Sequence, residues 1–188
     1  MAYRYLEDID EKIINAIIKI GADEGVQKVS AQKIAAICDI STYTVFDHFK
    51  TKRNFIESAA QYFEDKYLSL VTDQINQKKS VYEIWDFIIE EFVKNPDESL
   101  YYLSYINIFG FDPSENNVKS DIFLKIAKGV FSHEHNLTNN QLLIVWDFLS
   151  SMAFYYSEKF IHNFLPYNDE TKNLIKSLVF NGVDNVLK

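Results

Sequence analysis

Apolar residues recur every three to four positions along nearly the whole of this 188-residue chain, and no run alternates in the way a strand would. Ile9, Ile13, Ala16, Ile17 and Ile20 form the first stripe, which opens on a capping box at Asp8 and Glu11 and closes near Gly25. Ser30 caps a second helix carrying Ile34, Ile37 and Cys38, and Ser41 caps a third in which Val45 and Phe49 face inward while Thr42, Tyr43 and Asp47 face outward. Thr51 caps a long fourth helix with Phe55, Ala59, Phe63, Leu70 and Ile75 on its inner side. Ser80 and Glu83 form a capping box ahead of Val81, Trp85, Ile88, Ile89 and Phe92. Asn95-Pro96 then ends one helix and starts the next, because proline disfavours helix at the preceding residue but suits a first turn. The segment Gly110–Asn117 is a loop, followed by a helix from about Val118 to Phe131 and a connection at His133–Asn136. Thr138 and Gln141 cap a helix reaching about Asn163, and a last helix starts at Asn168, after Pro166. The fold class is all-α.

The segment from Ser30 to Phe55 carries the most specific information. Asp39 falls where the chain must turn, and aspartate tolerates the left-handed conformation better than most residues. Two short helices held by a three- or four-residue turn suit insertion of the second into the DNA major groove. Ile34-Ala35, Cys38-Asp39-Ile40-Ser41, Thr44-Val45-Phe46, His48-Phe49, Lys52 and Phe55 together resemble the DNA-binding motif of the TetR family (TetR/AcrR-like) of bacterial transcriptional regulators. The helix-turn-helix pattern alone is weakly specific, and the His-Phe-x-x-Lys junction behind it sharpens the match. Ile13 to Gly25 corresponds to the family's first helix, so the likeness covers roughly residues 9 to 58. The resemblance implies nine helices, with a three-helix DNA-binding domain over residues 1–56 and a C-terminal bundle for effector binding and dimerisation over residues 57–188.

Three positions depart from the family's pattern. Asp39 stands where glycine is usual, which puts mild strain on the turn. Tyr43 replaces a small residue, and its ring is expected to project toward a base or sugar. Phe46 replaces a tyrosine whose hydroxyl in the family reaches a phosphate, a loss of on the order of 1 kcal/mol.

Net charge complicates this picture, because the chain carries −8. Residues 1–56 hold eight Lys/Arg and eight Asp/Glu and are neutral; the remaining 11 basic and 19 acidic residues supply the whole imbalance. His48, Lys50, Lys52 and Arg53 cluster within six residues, opposed by Asp47. Local field rather than total charge attracts phosphate, but so modest a footprint calls for two copies acting together.

Candidate DNA contacts divide by chemistry. Lys52 and His48 are the leading phosphate ligands, Lys52 lying at a helix start where backbone amides also favour an anion. Thr42 and Tyr43 are the leading base-edge or thymine-methyl contacts, with sugar and phosphate as the alternative. Thr44 donates to a phosphate or caps the local backbone. Ser41 and Phe46 belong to the same surface, and Ser30 and Lys33 are weaker candidates on the supporting helix.

Other residues point away from chemistry. Cys38 sits where the family favours alanine, and with no second cysteine to resolve an oxidised form it is read as a small core residue. His133 and His135 lack further metal ligands nearby, so no metal is expected. The sequence shows no nucleophilic triad or phosphate-binding glycine loop, so no catalytic residues, no enzyme activity and no cofactor are expected. No apolar run approaches a membrane span, and the single cysteine fits a reducing cytoplasm.

The C-terminal half is rich in aromatic residues with polar tips, as in a pocket for a flat or cationic molecule. Trp85, Tyr101, Tyr105, Phe109, Phe123, Trp146 and Asp147 are the pocket candidates, resting mainly on the resemblance. Asp147, within the run Leu142 to Leu149, faces solvent, pairs across a dimer or meets a cationic ligand. The run itself leaves almost no polar face, and Leu174, Ile175, Leu178, Val179, Val183 and Val186 stripe the last helix. Two such helices exceed what one small domain buries. In the family, their equivalents from two subunits form a four-helix bundle.

The function these features imply is a ligand-responsive, dimeric transcriptional regulator, most often a repressor in the family. It would bind a palindromic double-stranded DNA operator with recognition helices about 34–36 Å apart. The alternatives are a helical regulator or adaptor without a small-molecule effector, and an all-helical enzyme.

Overall fold

The computed structural model describes residues 8–109, 124–131 and 137–187. Among these residues every regular element is helical: α1 (Asp8–Glu24), a 3-10 turn (Val26–Lys28), α2 (Ala31–Cys38), α3 (Thr42–Phe49), α4 (Lys52–Asn76), α5 (Val81–Lys94), α6 (Pro96–Phe109), α7 (residues 124–130), α8 (Asn139–Ile161) and α9 (Asp169–Leu187). The expected loop at 110–117, the first turns of the helix expected from Val118, and residues 133–136 lie outside the described residues.

Helix ends follow the local chemistry. Ser80 and Glu83 form a reciprocal capping box at the start of α5, and Thr138 and Gln141 form one at α8. The Glu83 carboxylate accepts hydrogen bonds from both the backbone and the side chain of Ser80, which holds it down at about 2. Pro96 is the first residue of α6, and the Thr171 amide donates to Asn168 Oδ1 at 2.9 Å as α9 begins.

The chain divides into two compact units. The first comprises the described residues of Met1–Lys66 together with Pro96–Gly110, so it takes in α6 and the first part of α4 as well as the three N-terminal helices. Its core is built on α1, where Ile13, Ile14, Ala16, Ile17, Ile18 and Ile20 are each no more than 4% exposed. That face is broader than the stripe in the sequence because both α2 and α6 pack against α1. A Cβ on Gly21 would lie 2.3 Å from Cδ2 of Tyr101, so glycine is what lets α6 approach α1. Tyr101 is fully buried and its hydroxyl donates to the Ile56 carbonyl at 2.7 Å. Phe63 stacks on Tyr102 with ring centroids 4.2 Å apart, and Lys66 pairs with Glu98 at 2.7 Å.

The second unit holds Tyr67–Asn95 and the described residues from 124 onward. Here α5 packs along α8. The Trp85 indole donates to the Leu149 carbonyl at 3.0 Å, and Phe92 stacks on Phe154 at 4.3 Å. Phe180 of α9 meets Tyr82 at 4.4 Å and the edge of Trp85 at 5.7 Å. The Tyr82 hydroxyl donates to Asp184 at 2.7 Å, and Lys176 pairs with Asp86.

Ile37, Leu70 and Ile75 are less buried than expected, and the apolar rows of α8 and α9 divide between inside and outside. Ile37 is 54% exposed, because in an eight-residue helix its side chain falls with Ala36 on the face turned from α1 and α3. The buried seam of α4 runs through Phe55, Ala59, Phe63, Tyr67 and Val71 in steps of four, leaving Leu70 and Ile75 only half-buried. On α9, Ile175, Val179 and Val183 are buried, whereas Leu174 and Leu178 are 61% and 62% exposed. The same division occurs on α8, where Leu142, Val145, Trp146 and Leu149 turn inward while Ile144, Phe148 and Tyr155 turn outward.

Candidate nucleic-acid interface

Helices α2 and α3 are joined by only three residues, and each residue of the joint has a defined task. Asp39 adopts the left-handed conformation (φ 55°, ψ 50°) and its amide, like that of Ile40, closes onto the Ala35 carbonyl. Ser41 takes the extended conformation and its hydroxyl accepts from the Thr44 amide at 3.0 Å. Ser30 caps α2 in the same way, accepting from the Lys33 amide at 3.4 Å. Val45 is fully buried and Phe49 nearly so, which fixes the rotation of α3 about its axis. Cys38 is 1% exposed and burial pushes its thiol up, as for a packing residue.

That rotation presents Thr42 and Tyr43 to solvent at the first turn of α3, with the Tyr43 ring 77% exposed. Thr44 is half-buried, its hydroxyl 2.9 Å from that of Ser41. Phe46 is 42% exposed beside the buried Phe55, with ring centroids 6.4 Å apart. Lys50 turns the chain out of α3 at φ 62°, and the Thr51 hydroxyl caps α4 by accepting from the Asn54 amide at 3.1 Å. Lys52 is thereby the first residue of α4, at the end of the helix whose dipole favours an anion.

The basic side chains have partners within the protein. Lys33 pairs with Glu24 at 2.5 Å, Lys50 with Asp47, and Arg53 with Glu57 at 2.5 Å. The Lys52 ammonium donates to the Gln27 carbonyl at 3.1 Å. His48 Nδ1 lies 2.5 Å from a carboxylate oxygen of Asp10 on α1. The lysine and arginine pairs are exposed, and exposed pairs are worth only about 0–1 kcal/mol, so a phosphate can displace them cheaply. Asp10, Glu24 and Gln27 were not among the sequence candidates. They lie 38, 9 and 25 residues from the groups they hold, and no local pattern marks them.

The pocket candidates fall in both units. Tyr101, Tyr105 and Phe109 belong to the first unit and Trp85, Trp146 and Asp147 to the second, while Phe123 lies outside the described residues. Tyr101 is core, Phe109 is 46% exposed and Asp147 is exposed. A cavity of about 170 Å³ in the second unit is lined by Trp85, Asp86, Ile89, Glu90, Asp169, Lys172 and Asn173. The indole nitrogen of Trp146 and the hydroxyl of Ser157 are buried without a hydrogen-bond partner among the described residues. Among the described residues, no three His, Cys, Asp or Glu side chains are grouped to hold a metal ion, and no helix is long and apolar enough to cross a membrane.

These features define a helix-turn-helix protein with a second, all-helical unit. No family model and no curated protein matches the sequence. Solved structures do match the fold. A TetR family transcription regulator from Marinobacter aquaeolei VT8 superposes with a TM-score of 0.75 at 13% identity, over 92% of this chain and 94% of that one. A TetR-family transcriptional regulator from Haemophilus influenzae Rd gives 0.70 at 18% identity, over 93% and 95%. The multidrug binding protein EbrR, complexed with imidazole, gives 0.62 at 14% identity, over 94% and 95%. The chain has a TetR-like fold.

Proposed function

We propose that this protein is a DNA-binding transcriptional regulator that acts as a homodimer, reads a palindromic operator and responds to a small-molecule effector, most simply as a cytoplasmic repressor. The carrying observation is the first turn of α3: a short, doubly capped helix, rotated by buried Val45 and Phe49, offers Thr42 and Tyr43 to solvent beside the basic N-terminus of α4. In that reading Thr42 and Tyr43 meet base edges. Ser41, Thr44, Phe46, His48 and Lys52 meet the sugar-phosphate backbone, with Ser30 and Lys33 supporting from α2.

Dimerisation is supported by the outward rows of α8 and α9. Ile144, Phe148, Ser151 and Tyr155 fall at helical spacing on one side of α8, and Leu174 and Leu178 on α9. A two-fold axis through these rows gives the second recognition helix that a neutral domain needs for tight binding. Effector response is supported by the two buried polar atoms of α8 that have no partner among the described residues, since a buried polar group left unmet costs about 1–3 kcal/mol. The effector acts by favouring one of two states, and α4, continuous from Lys52 to Asn76, supplies residues to both units.

The test is a pair of substitutions in a DNA-binding titration. Lys52→Ala removes a phosphate contact and should weaken binding to every duplex alike with a shallower salt slope, whereas Tyr43→Ala should change which duplexes are preferred. If neither change alters binding, this surface does not dock on DNA.

A further inference from the structure

Resting on the DNA-binding reading, we infer that Asp10 of α1 is a positioning residue for DNA: it holds the His48 ring as a two-sided donor, Nδ1–H to its own carboxylate and Nε2–H to a phosphate. An ionised carboxylate can only accept hydrogen bonds, so at 2.5 Å the proton of this bond belongs to Nδ1. A ring anchored in this way has its orientation fixed by the second partner, as in metal sites where a carboxylate sets the aim of a ligating histidine. The pair is well shielded, with side chains 22% and 28% exposed, unlike the lysine and arginine pairs around it.

The other edge of the ring is unclaimed. Among the described residues Nε2 has no hydrogen-bond partner, and the His48 side chain is 22% exposed. The residue sits in the last turn of α3, two positions before the turn into the α4 N-terminus. The neighbouring charges are occupied elsewhere: Asp47 and Lys50 of the same segment with each other, Lys12 of α1 with the Cys38 carbonyl, Lys52 with Gln27 and Arg53 with Glu57. Among the described residues, Asp10 is thus the charged group in contact with the ring from the elements packed around it.

For Nε2 to donate to a phosphate while Nδ1 donates to Asp10, the ring must carry both protons. A carboxylate on one side with a phosphate on the other stabilises that cation, so the docked complex favours the doubly protonated ring. This makes an acidic residue on a DNA-facing surface favourable for binding, the reverse of its bare charge effect.

That reversal gives the test. Affinity for a duplex is measured by fluorescence anisotropy at pH 6 and pH 8 for the wild type, Asp10→Asn and His48→Gln, with thermal melts to establish that each variant is folded. The ring tautomer of the free protein is read at pH 8 by nitrogen NMR. The expected wild type binds more tightly at pH 6 and shows the proton on Nδ1; Asp10→Asn weakens binding at pH 6 by about tenfold, and its pH dependence lies between those of the wild type and His48→Gln. Binding that tightens or is unchanged in Asp10→Asn, as simple removal of a negative charge requires, overturns the positioning role while leaving the DNA-binding reading intact. A proton on Nε2 in the wild type overturns it as well. A wild type that binds no duplex overturns both readings.

Discussion

On the proposed homodimer, Leu178→Glu should leave a folded monomer. Leu178 is 62% exposed and stands in the outward row of α9, one position from Val179, which is buried. Burying a whole leucine side chain contributes about 1.5–3 kcal/mol, so covering the exposed three-fifths contributes about 1–2 kcal/mol. In a two-fold interface the same side chain is buried twice, for about 2–4 kcal/mol, or roughly a 30- to 1000-fold rise in the dimer dissociation constant on its removal. The carboxylate placed there adds a desolvation penalty in the same direction. Sedimentation velocity over a range of concentrations measures the constant, and circular dichroism with thermal melting establishes that the monomer keeps its helices. The monomer core should be unaffected, because the side chain has few contacts within its own chain. A Leu178→Glu protein that dimerises as tightly as the wild type would refute the reasoning and move the interface away from these rows.

Two further outcomes test the fold that positions the interface. Gly21→Ala sets a methyl group 2.3 Å from the Tyr101 ring, whose hydroxyl is held by the Ile56 carbonyl of α4, and should cost about 1–3 kcal/mol in urea-induced unfolding. The Glu83 carboxylate titrates at about 2 in the folded protein against an ordinary value of 4.5. Its folded value is depressed, so the capping box stabilises α5 fully above pH 4.5 and loses that contribution as the pH falls toward 2. Urea melts of wild type and Glu83→Gln should therefore differ most above pH 5 and converge on acidification; a constant difference would assign the effect to something other than this ionisation.

Features governed by neighbours in sequence were the legible ones. The capping residues Ser30, Ser41, Thr51, Ser80 and Thr138, the break at Asn95-Pro96 and the left-handed Asp39 each depend on a few adjacent residues, so the pattern fixed the described helices and the helix-turn-helix. Periodicity marks a residue as apolar without saying what covers it. Leu174 and Ile175 therefore looked equivalent, although one faces outward and the other packs in the core. Ile37 failed for the same reason. The run Leu100-Tyr101-Tyr102-Leu103 has no single apolar stripe, so nothing local showed that α6 packs on α1 or that Tyr101 fills core space opposite Gly21. At the interface, the exposed residues of α3 could be named from spacing. The partners that hold the basic groups, Asp10 above all, are contacts across the fold that single-sequence spacing does not encode.

In the proposed function, the capped, outward-facing first turn of α3 reads DNA. The direct measurement is titration of the purified full-length protein against the DNA beside its own gene and against a random duplex of equal length, over a series of salt concentrations. The expected result is a dimeric complex that prefers the native DNA and weakens steeply as salt rises. Equal affinity for both duplexes at every salt concentration would contradict it.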